Sequence, residues 1–282
     1  DDSTGTSHAE GNVVIVDTAQ GTTILAGKVF RNNKTEAVLA TNKPLMIVKQ
    51  DDDSIFITAD TLFSARLSDL YGVKDSVVKD TVKEKVVVDA NKKDSTNRYF
   101  EAYRNVRIFS DSLQAICDSM FYSFRDSIFR LFHDPVLWSK DNQVTGDTVL
   151  LYTKNKKAER IKVLENSLLV NQLDPEIYNQ VRSTRMDGFF KEGNIDSVRA
   201  SGSAECIYFI QDDDSAYTGI NESKSDLIDI YFEKRELEKV VFRSSVTGTI
   251  WPVRQKDPRD MRLANFKWLH DRRPKSRLEL FE

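Results

Sequence analysis

The stretch Gly146 to Val170, GDTVLLYTKNKKAERIKVLENSLLV, returns in outline and without a gap at Ser225 to Thr249, SDLIDIYFEKRELEKVVFRSSVTGT. Each copy sets an aspartate (Asp147, Asp226), an apolar residue two positions on (Val149, Ile228) and a tyrosine (Tyr152, Tyr231). A charged run follows, and then an apolar pair two apart, Ile161 and Val163 or Val240 and Phe242. A spacing of two is the strand period, in which alternate side chains share one face. KNKK and EKRE, between the halves, are solvated runs of the kind that close hairpins. The unit is a β-hairpin with one apolar face.

The outline recurs in CDSMFYSFRDSIFRLFHDPVLW, where Asp118, Met120, Phe129 and Leu131 take the matching places. Further copies start near Ala59, with Asp60 and Leu62, near Ala26, with Val29, Val38 and Ala40, and near Ser183, with Met186, Val198 and Ala200. About six units at intervals of roughly 30 to 40 residues are too long for β-helix rungs and suit two strands with their turns. The aligned columns predict an inward face made of Ile15, Ile24, Val29, Val38, Ile57, Leu62, Val106, Ile108, Met120, Phe129, Leu131, Val144, Val149, Ile161, Val163, Ile228, Val240 and Phe242. Their neighbours Arg107, Arg160, Lys162 and Lys239 then point out, because a slip of one residue would exchange the two sets.

Working outward, residues 10–67 read as N-terminal hairpins, with strands over Gly11–Val16, Thr23–Arg31, Glu36–Thr41, Leu45–Lys49 and Ser54–Phe63. Residues 68–98 are rich in Lys and Asp and nearly free of aromatic side chains, which fits a mobile insertion or a solvated edge hairpin. The cluster Val86–Val88 lacks alternation and favours the mobile insertion. Strand rhythm resumes over 99–251, interrupted only at DPEIYNQVRSTRMDGFF, which reads as a short helical turn or a loop. The tail, 252–282, carries the one helix signal of any length: Asp257 as cap and Pro258 at the first position of DPRDMRLANFKWLHD.

Composition excludes several classes of function. With 282 residues and 40% hydrophobic content the chain suits a globular protein, and a net charge of −3 gives no sequence-wide pull toward nucleic acid. No apolar run is long enough for a membrane helix. The polar opening DDSTGTSHAEGNVVIV reads as a mature start from which an export signal has been removed. His8, His133 and His270 stand apart from one another and from Cys117 and Cys206, so neither a triad nor a metal site is visible. Glycine-rich phosphate loops and the GxSxG elbow are missing, and no cofactor is expected. Cys117 falls on an apolar face and reads as a buried small hydrophobe, with a disulfide to Cys206 left open. The twin runs Gln50–Ser54 and Gln211–Ser215, each QDDDS, fit solvated hairpin tips or calcium ligands.

Units of the form A-D-[ST]-[LM], an apolar pair and P-[VL], with openings such as EGNVVIV, resemble the OstA family, the organic-solvent-tolerance or lipopolysaccharide-transport bridge domain. YNQVRSTRMDGFF, ECIYFI and NFKWLHDRRP are similar to the version found in Bacteroidetes-type bacteria. The resemblance implies an all-β fold, an elongated twisted β-jellyroll with a groove open along one side. It also implies a periplasmic bridge that carries lipopolysaccharide toward the outer membrane without covalent chemistry. In that reading the inward face lines the groove and binds acyl chains. The partners are lipopolysaccharide or a related glycolipid, and like-folded proteins or further copies paired through the edges near Val13–Val16 or Val246–Trp251. Two other classes stand beside it: a structural or adhesive β-repeat protein with a closed core, and a polysaccharide-active enzyme on a β-scaffold.

Overall fold

The computed structural model describes residues 5–18, 20–49, 54–71, 97–154, 157–191, 194–233 and 236–281. Most of the charged insertion, residues 72–96, lies outside the described residues, as do 50–53 of the first QDDDS run. The protein is all-β. Its strands are Thr6–Asp17 (β1), Thr22–Asn32 (β2), Val38–Thr41 (β3), Leu45–Val48 (β4), Ile55–Thr58 (β5), Thr61–Arg66 (β6), Arg98–Phe109 (β7), Gln114–Ser123 (β8) and Ile128–Phe132 (β9). They continue with Val136–Ser139 (β10), Asn142–Thr145 (β11), Thr148–Lys154 (β12), Lys157–Asp174 (β13), Ile177–Lys191 (β14), Asn194–Gln211 (β15), Tyr217–Glu233 (β16), Glu236–Arg243 (β17) and Thr247–Pro252 (β18). One short helix, Leu67–Tyr71 (α1), opens the insertion.

Antiparallel pairing sorts these strands into two layers. Layer I runs through the C-terminal half of β1, the start of β2, then β4, β5, the end of β7, the start of β8, β10, β11, the end of β13, the start of β14, the end of β15, the start of β16 and β18. Layer II takes the other halves of the long strands together with β3, β6, β9, β12 and β17. Because each long strand serves both layers, the pairings close into rings: β2–β4–β5–β7–β6–β3 returns to β2, and β8–β10–β11–β13–β12–β9 returns to β8.

The crossing from one layer to the other explains the repeated aspartate. Along the shared side, every second strand passes through a pair of residues with positive φ: Asn42 and Lys43, Arg104 and Asn105, His133 and Asp134, Glu165 and Asn166, Gly202 and Ser203, Ser244 and Ser245. Left-handed backbone is costly for residues other than glycine, least so for Asn and Asp. The strand alongside brackets it. The amide N–H groups of Asp60, Asp118, Asp147 and Asp226 donate to the carbonyls of Arg104, His133, Glu165 and Ser244 at 3.0, 3.4, 3.2 and 3.1 Å. Three of the same carboxylates accept from the second residue of the pair: Asp60 from Asn105 at 3.1 Å, Asp147 from Asn166 at 3.0 Å and Asp226 from Ser245 at 2.9 Å. One repeat unit is thus two strands and one bracketed corner.

Two sequence expectations are corrected here. DPEIYNQVRSTRMDGFF forms a turn and then the long strand β14. The tail forms no helix of any length, only single 3-10 turns at Val253–Gln255, Pro258–Asp260, His270–Arg272 and Glu279–Phe281. Asp257 does cap, accepting from the N–H of Arg259, but the cap opens one turn. The reason is tertiary. The tail runs back across the outer face of layer I, and glutamine side chains hold it extended. Gln180 donates to the carbonyl of Met261 at 2.9 Å and accepts from the N–H of Leu263 at 2.8 Å. Gln143 donates to Lys267 at 2.7 Å and accepts from Leu269 at 2.7 Å. Each amide takes the place of a neighbouring strand's peptide, a role that helical backbone would not permit. Farther on, Gln114 accepts from Arg273 at 2.8 Å, and Arg107 donates to the carbonyl of Glu279 at 2.8 Å.

Apolar contacts follow the same path. Met261 and Leu263 pack on Ile207, Phe209 and Ile220, Phe266 and Trp268 pack on Tyr178, Leu168 and Val170, and Leu269 packs on Ile116, Val136 and Trp138. The tail is a strap over one layer.

Candidate functional site

The candidate site is the interior between the layers. Across layer II one unbroken row of facing residues runs from strand to strand: Val29, Ala40, Leu62, Ala102, Met120, Leu131, Val149, Val163, Met186, Ala200, Ile228 and Phe242. Layer I supplies a matching row: Ile15, Ile24, Met46, Ile57, Ile108, Ala115, Leu137, Val144, Leu169, Val181 and Cys206. At about 4.8 Å between strands, each row is on the order of 50 Å long. Both belong to one contiguous apolar cluster.

Ile24, Val29, Val38, Ile57, Leu62, Val106, Ile108, Met120, Phe129, Leu131, Val149, Ile161, Val163 and Ile228 are buried in this cluster. Ile15, Val144, Val240 and Phe242 are half-buried and pack against it. Ile15 lies on the first strand and Val240 and Phe242 on β17, so the interior is less covered at its two ends. The flanking cations are turned away: Lys239 is exposed, and Arg107, Arg160 and Lys162 lie on the outer faces. Interior residues outside the sequence assignment are mostly small or flexible: Ala102, Ala115, Ala204, Met46 and Cys206. Alanine carries little hydrophobic signal alone, but its place in the two-residue period could have marked these positions.

Both thiols are free and buried, and burial pushes Cys117 and Cys206 up to about 12. A thiol so raised stays protonated and unreactive near neutrality. Tyr122 is likewise raised, chiefly by burial. Between Met46, Val48, Ile55 and Ile57 of layer I and Phe100, Tyr122, Phe129 and Thr153 of layer II there is a pocket of only ≈ 20 Å³, room for about one water. Away from it, interior side chains such as Val149, Ala200 and Ile228 are fully buried. A larger polar cleft lies outside it, between corner residues such as Glu165 and Asn166 and strap residues such as Lys267 and Arg272.

The side opposite the corners is built differently. There the turns of layer I (18 and 20–21, 110–113, 140–141, 212–216) and of layer II (33–37, 124–127) end their hairpins. Among the described residues no backbone hydrogen bond joins a layer I turn to a layer II turn. The second QDDDS run closes its own turn, with Asp212 Oδ1 accepting from the N–H groups of Asp214 and Ala216. Among the described residues no cluster of His, Cys, Asp or Glu is arranged to hold a metal, and no helix is long and apolar enough to cross a membrane.

No family model matches the chain, and no curated protein matches it in sequence. Among solved structures it is similar to the crystal structure of LptH, the LptA homologous periplasmic component of the conserved lipopolysaccharide transport device from Pseudomonas aeruginosa. The match has 15% identity and a TM-score of 0.39, over 50% of this chain and 95% of that one.

Proposed function

We propose that this protein is a periplasmic carrier that holds the acyl chains of lipopolysaccharide or a related glycolipid between its two layers, and does no chemistry on them. The observation that supports this reading best is the pair of facing apolar rows, continuous over nearly every strand. An acyl chain moving along the molecule needs such continuity. The molecule then works as a β-jellyroll whose corner side is a hinge and whose turn side is a slot. Each buried methylene contributes about 0.8 kcal/mol, enough for a few chains to displace side chains such as Tyr122 and Phe129 at the slot. Val14 and Val16 on β1 and Ile250 on β18 are exposed at the two edges, which suits end-to-end pairing with further copies or like-folded proteins. A second reading, a closed structural scaffold, is favoured by the nearly full interior.

Site-specific photocrosslinking separates the two. A photoreactive residue at Leu131 or Val163, each 1% exposed, should capture lipopolysaccharide from membranes, while the same probe at Lys162, one residue from Val163 on the outer face, should not. Equal labelling at both, or at neither, rejects the carrier.

A further inference from the structure

The outer face of layer II carries a built array of cations, and this feature does not depend on what the interior holds. Asp187 on β14 accepts from Arg160 at 2.6 Å and Arg185 at 2.8 Å. Asp229 on β16 accepts from Arg199 at 2.7 Å and Arg243 at 2.8 Å. The carboxylates are buried, at 7% and 3% exposure, while the side chains of Arg199 and Arg243 remain 53% and 56% exposed. Each aspartate therefore fixes two guanidinium groups and neutralises one, so each unit presents a net positive charge. Lys162 extends the array beside Asp187, and Lys239 extends it beside Tyr231. Exposed acids on these strands include Glu159 on β13, Asp196 on β15, Glu233 on β16 and Glu238 on β17, while Asp226 is held at the corner by Ser244 and Ser245.

We propose that this face docks on an anionic phospholipid bilayer, with the aspartate-held arginines meeting lipid phosphates. Three features select a membrane over an acidic protein segment. The cations stand on neighbouring strands, about 4.8 Å apart, in one sheet face without a groove to seat a peptide. Guanidinium groups already oriented by a carboxylate keep further N–H donors directed outward, suited to phosphate oxygens. Phe189, 41% exposed and lying under Arg160 at 5.3 Å, places an aromatic ring among the cations, as at the headgroup level of a bilayer.

Cosedimentation of the full chain with phosphatidylglycerol and phosphatidylethanolamine vesicles tests this. The triple substitution Lys162→Gln, Arg185→Gln and Arg243→Gln leaves one arginine on each aspartate and should weaken binding about fivefold per charge, on the order of a hundredfold in all. A control of equal charge on the opposite side, Arg254→Gln, Lys275→Gln and Arg277→Gln, should bind like the parent. Should the triple variant lose its fold, Lys162→Gln with Lys239→Gln, which leaves all four arginine–aspartate pairs intact, decides, with about a twentyfold loss expected. Equal binding to phosphatidylcholine vesicles, an equal loss in the control, or retention by polyglutamate with none by vesicles overturns the proposal.

Discussion

The outer faces of the two layers start from the same repeat and end in opposite chemistry. Layer I is covered: the strap buries Ile207, Phe209, Leu168, Val170 and Trp138, and its backbone is held by neutral amides, Gln180 and Gln143, at 1% and 0% exposure. Over β13 to β17 layer II is bare, with two buried aspartates beneath four partly exposed arginines. The difference follows from what each face must satisfy. A covered face gains from apolar side chains but must pair every peptide group of the strap, which a primary amide does without a charge to desolvate. A face in water has no peptide groups to pair and keeps ion pairs cheaply. Fixing one layer by a strap also leaves the other as the freer wall.

The largest expected effect comes from removing the cover. Ending the chain after Pro252 exposes every strap contact on layer I, including those of Met261, Leu263, Trp268 and Leu280. After the entropy of ordering the strap is subtracted, the loss is on the order of 5 kcal/mol. Urea unfolding should show a sharply lower midpoint, and a variant as stable as the full chain would mean that the strap is an accessory.

Next is a single amide. Gln143 serves three partners: the carbonyl of Lys267, the N–H of Leu269 and the indole N–H of Trp138, the last at 3.2 Å. Gln143→Leu keeps volume but leaves all three without a partner in a buried place, at a cost of about 3 kcal/mol. Substitution of a surface pair on layer II, Arg130→Ala opposite Asp126, should cost less than about 1 kcal/mol. If the two changes cost the same by urea unfolding, the contrast between the faces fails.

Much of this was legible in the sequence, and the gaps have identifiable causes. The all-β class and the inward register were readable because Val149, Val163 and Ile228 keep the two-residue period through every turn. The corners were visible only as a recurring aspartate, since the left-handed pairs opposite vary in type, from Lys43 to Asn105 to Asp134 to Ser245, and share only a backbone angle. The strap's sequence carries a helix signal because Asp257 and Pro258 are a genuine start, while what overrides it lies more than seventy residues away. Gln143 and Gln180 both stand in the tripeptide NQV, with a matching M-R-L and K-W-L in the tail. That coincidence was the available sign, and an isolated buried glutamine has no local signature. The filled state of the interior was not readable at all, because a groove and a closed core take the same alternation.

Smaller than the loss at Gln143 is an effect that depends on pH. Folding lowers the pKa of Asp229, first because Arg199 hydrogen-bonds it and then through Arg243, against the opposing effect of burial. In the unfolded chain it returns to the ordinary value near 3.8. A carboxyl group depressed by folding takes up its proton in the unfolded state first. Its contribution is therefore present above about pH 4 and is lost as pH falls through the folded value. Asp229→Asn keeps the shape and removes the charge. At neutral pH it should cost about 1 to 2 kcal/mol, limited because Arg199 and Arg243 stay half in water and can be hydrated. Denaturant unfolding of both proteins from pH 7 down to pH 2 should show that gap closing on the acid side. A gap that is constant across the range would assign the loss to packing, and would make Asp229 a buried spacer whose charge does not hold the two arginines in place.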